Sequence, residues 1–246
     1  MWGASEKLHG TSEEVLARIR AAPVVYADET SFLVGGRPWW LWAPTTMEES
    51  LFALRESRGA DVAREVLGAG FSGRVVVCEG GRAYAGRAWI LQKCWAHLLR
   101  VVGAGAEESA RGKKLHEALK RLYTELTEGR DRLDEGGRVR RARWGQRKLD
   151  QLVTRFGRSW ARGVRKVVTY LGNGGLWWLN FVRHPGVEPT NNRAEHALRE
   201  GVVIRKIVGT LRNGRGAKAL AQLLSVIVTW KLRGEDPAKN LYAALS

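Results

Sequence analysis

Two apolar runs that each end in an acid constrain this chain more than any other feature. "VVYAD" closes on Asp28 and "RVVVCE" closes on Glu79. β-Branched and aromatic residues dominate both, as a buried pleated strand requires. Where two such strands are neighbours in one sheet, carboxylates at corresponding ends stand close together. Close carboxylates repel each other unless a cation lies between them.

The residues around these runs suggest a mixed fold. "PVVYADETSFLV" and "RPWWLWAPT" read as strands joined at Gly35 and Gly36, a hairpin signal. "SLFALRES" reads as a third strand and "GADVAREVLGAG" as a short amphipathic helix between glycines. "GRVVVCEGG" is a compact buried strand, and "RAWILQKCWAHLLRVVG" a strand running into a helix. After a helical lead-in over 1–21, residues 22–103 are therefore predicted to form an α/β sheet with antiparallel and parallel parts. Residues 104–184 change character. Leu115, Leu119, Leu122 and Leu126 recur with helical rhythm. "SWARGVRKVVTYL" and "GLWWLNFVRHP" complete a helical, basic block. In residues 185–246, "TNNRAEHALRE" reads as a helix and "GVVIRKIVGT" as strand or irregular chain. "RGAKALAQLLSVIVTWKLRG" is a long apolar helix. "DPAKNLYAAL" closes the chain as a helix capped by Asp236, with Pro237 at its first position.

Charge points to a partner. The 246 residues include 41 Lys and Arg against 25 Asp and Glu, a formal net charge of +16. Such an excess favours a polyanion, most simply nucleic acid. Arg138, Arg140, Arg141, Arg143, Arg147 and Lys148 fall together in the helical block. They read as phosphate contacts, the alternative being a solvated helix face. The hydrophobic share of 44% is enough for a packed core. Two cysteines, Cys78 and Cys94, make no disulfide framework and suit a reducing cytoplasm. The first residues lack the apolar centre of a signal peptide, and no apolar run reaches membrane-spanning length. The expectation is a soluble, cytoplasmic protein with no membrane partner.

Aspartate is scarce, with six in the chain. Asp28 and Glu79 therefore stand out, and a third carboxylate from a helix would complete a site for two Mg²⁺ ions, with Mn²⁺ as substitute. Glu195 is that candidate. Each acid also has a plainer explanation. Asp28 or its neighbour Glu29 fits a turn at a strand end, and Glu79 fits a solvated position beside Gly80 and Gly81. Glu195 fits a capping box with Asn192 as N-cap. Cys94 and His97 suggest zinc, but no second pair of ligands matches them, so a buried Cys and a helix His are expected.

Resemblance joins the three acids. "VVYADETSFLVGGRPWWLWAPTT", "GFSGRVVVCEGGRAYAG", "LQKCWAHLLR" and "VEPTNNRAEHALREGVVIRK" occur in that order. Together they resemble the catalytic domain of the insertion-sequence-66 family of transposases, over residues 22 to 245. The resemblance implies a DDE transposase: a ribonuclease-H-like mixed sheet with flanking helices, and an α-helical insertion before the last catalytic helix. It implies Asp28 as first catalytic and metal-binding acid, Glu195 as the last, and Glu79 in place of the second, where the family has Asp followed by Gly. It also implies Asn191 and Asn192 as caps that orient the helix, with Arg199 holding Glu195 or a DNA phosphate. Gln92, His97, Arg205 and Lys206 are candidate second-layer or DNA contacts, alongside Arg140, Arg141, Arg143, Arg147 and Lys148. The implied partners are double-stranded DNA, as transposon ends and target, and a second subunit when DNA is bound. The implied activity is phosphodiester hydrolysis and strand transfer. A catalytically impaired relative that only binds DNA, and a ribonuclease-H-like nuclease without strand transfer, are the alternatives. Family members usually carry N-terminal DNA-binding and zinc-binding regions, whereas Asp28 lies near the start here. A shortened copy, one product of a split gene and an isolated catalytic domain are all compatible with that.

Overall fold

The computed structural model describes residues 2–68, 73–85, 89–106 and 109–246. The chain is a mixed α/β protein that divides into two compact units. Met1–Trp89 and Asn191–Ser246 form the first, and Ile90–Thr190 the second. Gly70, Gly86, Arg87 and Ala88, at the edges of expected elements, lie outside the described residues.

The first unit begins with helices α1 (Trp2–Lys7) and α2 (His9–Ala21) and continues through β1 (Val24–Tyr26), β2 (Glu29–Val34), β3 (Arg37–Trp42) and β4 (Ala53–Arg55). Helix α3 (Ala60–Leu67) and β5 (Val75–Cys78) follow. The glycine hairpin forms as expected. Gly35 and Gly36 take φ of 58° and 72°, which a two-residue β-turn of this hand demands. Strands β2, β3 and β4 make an antiparallel meander, while β1 runs parallel to β5.

"PVVYADETSFLV" is thus two strands, not one. At its centre the chain is bonded on both edges: Tyr26 already bridges Thr45, in the register that continues into the β2–β3 ladder, while the other edge bonds β5 as far as Ala27. The Ala27 N–H donates to Val77 O at 2.9 Å, and one residue later the Asp28 carbonyl accepts from Ala43 N at 2.9 Å. "SLFALRES" is extended only over β4, because its first residues bond to hydroxyls of another helix. The N–H groups of Ser50 and Phe52 donate to Thr229 Oγ1 at 3.0 Å and Ser225 Oγ at 2.8 Å.

Those hydroxyls belong to α10 (Gly214–Leu232), reached in the second visit to this unit through α9 (Asn192–Val208) and the short strand β7 (Thr210–Leu211). β7 lies parallel to β2, giving the order β4-β3-β2-β7. Helix α11 (Pro237–Leu245) ends the chain, and Asp236 caps it by accepting from Ala238 N and Lys239 N. The core joins Phe32, Leu41 and Leu54 of the sheet to Leu198, Leu220 and Leu224 of the helices. "GVVIRKIVGT" is not a strand. Its first eight residues complete α9, because the buried positions Ala194, Ala197, Leu198 and Gly201 follow the helical period and outweigh local β-propensity.

The second unit holds β6 (Ile90–Lys93), α4 (Trp95–Ala106), α5 (Ala110–Thr127), α6 (Glu135–Gly157), α7 (Arg162–Gly174) and the short α8 (Asn180–Arg183). Leu115, Leu119, Leu122 and Leu126 are buried along α5, as their spacing predicts. Ser109 caps α5 and Asp134 caps α6, each accepting a backbone N–H three residues on.

One buried charge ties the first unit together. Arg74 is fully buried, and its guanidinium donates to Leu67 O at 2.5 Å and to Ile19 O at 2.7 Å. It caps the carbonyl ends of α3 and α2, where the helix dipoles favour a cation. Burial, then the nearby Arg20, pushes its pKa down. Arg74→Leu should therefore cost about 3 kcal/mol, since both carbonyls lose a charged donor. Urea unfolding measures this; an unchanged midpoint would mean that other groups satisfy those carbonyls.

Candidate active site

The parallel pairing of β1 with β5 decides where the first two acids stand. Val24 lies opposite Val75, Val25 opposite Val76 and Tyr26 opposite Val77. Continuing that register by two residues sets Asp28 level with Glu79. Neighbouring strands are about 4.8 Å apart, so the two acids share one end of the strand pair. Asp28 Oδ1 accepts from the Glu29 N–H at 2.9 Å. Burial, and next the charge of Glu79, raises the Asp28 pKa from 3.8 to about 7. Glu29 and Glu195 add smaller repulsions, and the Glu29 N–H partly offsets them.

The charge of Glu195 reaches Asp28 because of how α9 starts. Asn191 is fully buried, and its Nδ2 donates to Ala27 O at 3.0 Å. This pins the helix beside the strand end that carries Asp28, and Glu195 follows one turn later. The expected capping box does not form. The N-cap is Asn191 rather than Asn192, and its side chain makes no capping bond. Asn192 is exposed at the first helical position. Further along, a Cβ on Gly201 would come within 2.3 Å of Leu41 Cδ2, so a larger residue there would force the buried Leu41 side chain to move. Arg205 Nη1 bonds Thr30 Oγ1 at 3.1 Å, a second tie from α9 to β2.

A fourth acid is committed to structure. The Glu29 carboxylate is buried; Tyr84 Oη donates to its Oε2, and Arg58 Nε donates to its Oε1 at 2.5 Å. Burial, then the Glu29 charge, raises the Tyr84 pKa well above 10. Tyr84 follows Glu79 by five residues, so this bond links the loop after β5 to the start of β2. Sequence reading left Asp28 and Glu29 as alternatives for a plain turn acid. The structure separates them: Glu29 is anchored, and Asp28 lies among the other acids. The "GGRAY" tyrosine was the available signal, and nothing in its spacing marks its partner.

A family model described as "Transposase IS66 family" matches residues 1–219. This chain belongs to the IS66 transposase family. Among curated proteins it is similar to an uncharacterized protein, y4qI, of Sinorhizobium fredii, at 25% identity over 280 aligned positions. That match covers 98% of this chain and 50% of y4qI, so the chain spans about half the length of its relative. No solved structure matches.

The remaining residues implied by the IS66 resemblance divide into three groups. Arg199 and Lys206 are exposed on α9, and among the described residues no ion pair joins Arg199 to Glu195. Gln92 and His97 belong to the second unit. Gln92 is fully buried: its Oε1 accepts from Phe181 N at 2.7 Å, and its Nε2 donates to Lys93 O at 2.6 Å. It braces β6 against α8 and is not available to DNA. His97 lies half-buried beside Tyr170, with ring centroids 6.3 Å apart. In the arginine cluster, Arg138 is buried and donates to Val182 O at 3.4 Å, so it leaves the phosphate set. Arg140, Arg143, Arg147 and Lys148 are exposed, and Arg141 is half-buried with its guanidinium on Glu128 O.

The donor chemistry of Asp28, Glu79 and Glu195, oxygen only and mutually repulsive, suits a hard divalent cation. The side chains are not drawn up around one: among the described residues, no three His, Cys, Asp or Glu are grouped to hold a metal ion. No helix of the described residues is long and apolar enough to cross a membrane.

The Asp28 pKa gives a prediction for the metal-free protein. An acid with a folded pKa near 7 and an unfolded value near 3.8 holds its proton more tightly when folded. Its stabilising contribution is full below about pH 3.8 and is lost as pH rises through 7. Asp28→Asn carries no such charge. In EDTA it should match wild type near pH 4 and exceed it at pH 8 by about 2 kcal/mol, half the full shift because part of the side chain meets water. Urea unfolding at both pH values tests this; equal gains at both would remove the strained carboxylate.

Proposed function

We propose that this chain is the catalytic domain of a DNA transposase with a ribonuclease-H-like core. Asp28, Glu79 and Glu195 are its acidic centre. The helical residues 104–184 are an insertion before the helix that bears Glu195. The observation that supports this reading is that Asp28, just past the end of β1, feels the charges of Glu79, just past β5, and of Glu195 in α9, in a chain of net charge +16. The antiparallel meander, followed by α3 and the parallel strand β5, supports the core assignment.

Asp28, Glu79 and Glu195 would hold Mg²⁺ or Mn²⁺, as two ions. When bound, these neutralise the acids and supply an activated oxygen nucleophile and a stabilised leaving oxygen. The chain's own residues do the positioning. Asn191 fixes the start of α9. Glu29, held by Tyr84 and Arg58, keeps the backbone beside Asp28 in place. Arg199 and Lys206 present positive charge on α9 to DNA phosphates, and Arg140, Arg143, Arg147 and Lys148 do so in the second unit. The reaction is a nick at each transposon end, followed by attack of the freed 3′-hydroxyl on target DNA. Two ends need two active sites, so the working form on DNA is a dimer.

A second reading rests on Glu79. The IS66 pattern has Asp there, and the extra methylene displaces the carboxylate by more than the roughly 0.5 Å a catalytic site tolerates. The protein is then an impaired or repurposed relative that binds DNA. Nicking of supercoiled plasmid in Mg²⁺ and in Mn²⁺ separates the readings. Glu195→Gln should slow nicking about 100-fold, equivalent to about 2.7 kcal/mol. Equal nicking by both proteins would remove Glu195 from the chemistry. No nicking by either, with DNA binding intact, would favour the second reading.

A further inference from the structure

The face between α5 and α6 carries a groove that takes no part in the chemistry at the acids, although its Arg140 and Lys148 are among the cations offered to DNA phosphates. It consists of two adjoining cavities of about 570 and 310 Å³, which share Glu125 and Lys148 as lining residues. Along α6, Arg140, Trp144 and Lys148 recur every fourth residue and so lie in one stripe. Arg141 lines the same wall, and Arg121 and Arg155 extend the groove beyond Lys148. Its lining thus has five cations against one acid, Glu125.

What distinguishes this groove from an ordinary basic face is its floor. Trp144 is half-buried among the cations, with Lys148 Nζ 5.7 Å from the ring centroid. Leu133 and Gly137 add an apolar wall. A duplex keeps its bases stacked inside and offers a basic surface only phosphates. A single strand offers phosphates and free ring faces together, and sequence-tolerant binding of single strands combines cations with aromatic platforms. An acidic peptide would satisfy the cations but leave the indole without a stacking partner.

We propose that the α5–α6 groove binds single-stranded DNA, with an unpaired base stacked on Trp144 and phosphates on Arg140, Lys148 and Arg155. This rests on the reading of the chain as a DNA-acting protein, and it adds a site for unpaired strand.

The test is fluorescence anisotropy in EDTA, so that nothing depends on catalysis. Labelled oligothymidylate, an abasic strand of equal length and a blunt duplex are titrated across a salt series. Wild type should bind oligothymidylate about ten-fold more tightly than the abasic strand. Trp144→Ala should erase that ratio and leave the salt slope unchanged, while Trp144→Phe should keep most of it. Replacing Arg140 and Lys148 together with Ala should flatten the slope by about 1.4, two phosphates at about 0.7 each. Trp160, 95% exposed three residues beyond the end of α6, is the control. Trp160→Ala should preserve the base preference. Equal binding of both strands by wild type overturns the proposal. So does a preference that survives Trp144→Ala, or one that is lost in Trp160→Ala instead. A protein that nicks plasmid without base preference defeats this inference alone. One that prefers unpaired strand and never nicks defeats the catalytic reading alone.

Discussion

The hydrogen bond from Asn191 to the carbonyl of Ala27 is the contact on which the candidate site depends. It joins residues 164 positions apart. At one end is the point where the chain, already bridged to Thr45 at Tyr26, bonds β5 through the Ala27 N–H before running on into β2. At the other is the start of the helix that bears Glu195. Both partners are buried, so the bond is not exchanged for water without cost. Every other feature that places α9 works with it: the missing side chain at Gly201, the Arg205 bond to Thr30, and the Arg193 guanidinium 5.7 Å from the Tyr26 ring centroid.

Bringing acids together has an electrostatic consequence that the fold does not hide. Asp28 is pushed to a pKa of about 7, by burial first and by Glu79 next. A structural acid would be given a partner, as Glu29 is by Tyr84 and Arg58. The contrast between these adjacent residues is informative. One carboxylate is fully committed inside the protein. The other is held in an environment that disfavours its charge, and a bound cation would relieve that cost.

Parts of this were legible in the sequence. A buried strand shows as a run of Val, Tyr and Cys, and the acid closing the run marks its end, so Asp28 and Glu79 could be found by eye. The parallel register that sets them level is a long-range fact, and no spacing reveals it. The change of neighbour on one edge, from β5 to β7, was invisible for the same reason: both halves of "PVVYADETSFLV" look like strand, and only that neighbour differs. Asn191 and Asn192 were both plausible caps. Which one is buried depends on a carbonyl far away in sequence. "GVVIRKIVGT" misled because Val and Ile favour strands locally, whereas Ala194, Ala197 and Gly201 let the helix continue against the sheet. The arginine cluster showed its charge but not its sorting. Arg138 is buried, and Arg140 and Lys148 line a groove, because a helix deals consecutive residues to different faces.

The central claim is that Asp28, Glu79 and Glu195 belong to one cation-binding centre. Anomalous diffraction at the manganese edge, from crystals soaked in Mn²⁺, tests it most directly. Manganese is expected between the ends of β1 and β5, in contact with Asp28 and Glu79 and within reach of Glu195. Manganese bound elsewhere, with these three carboxylates bare, would contradict it.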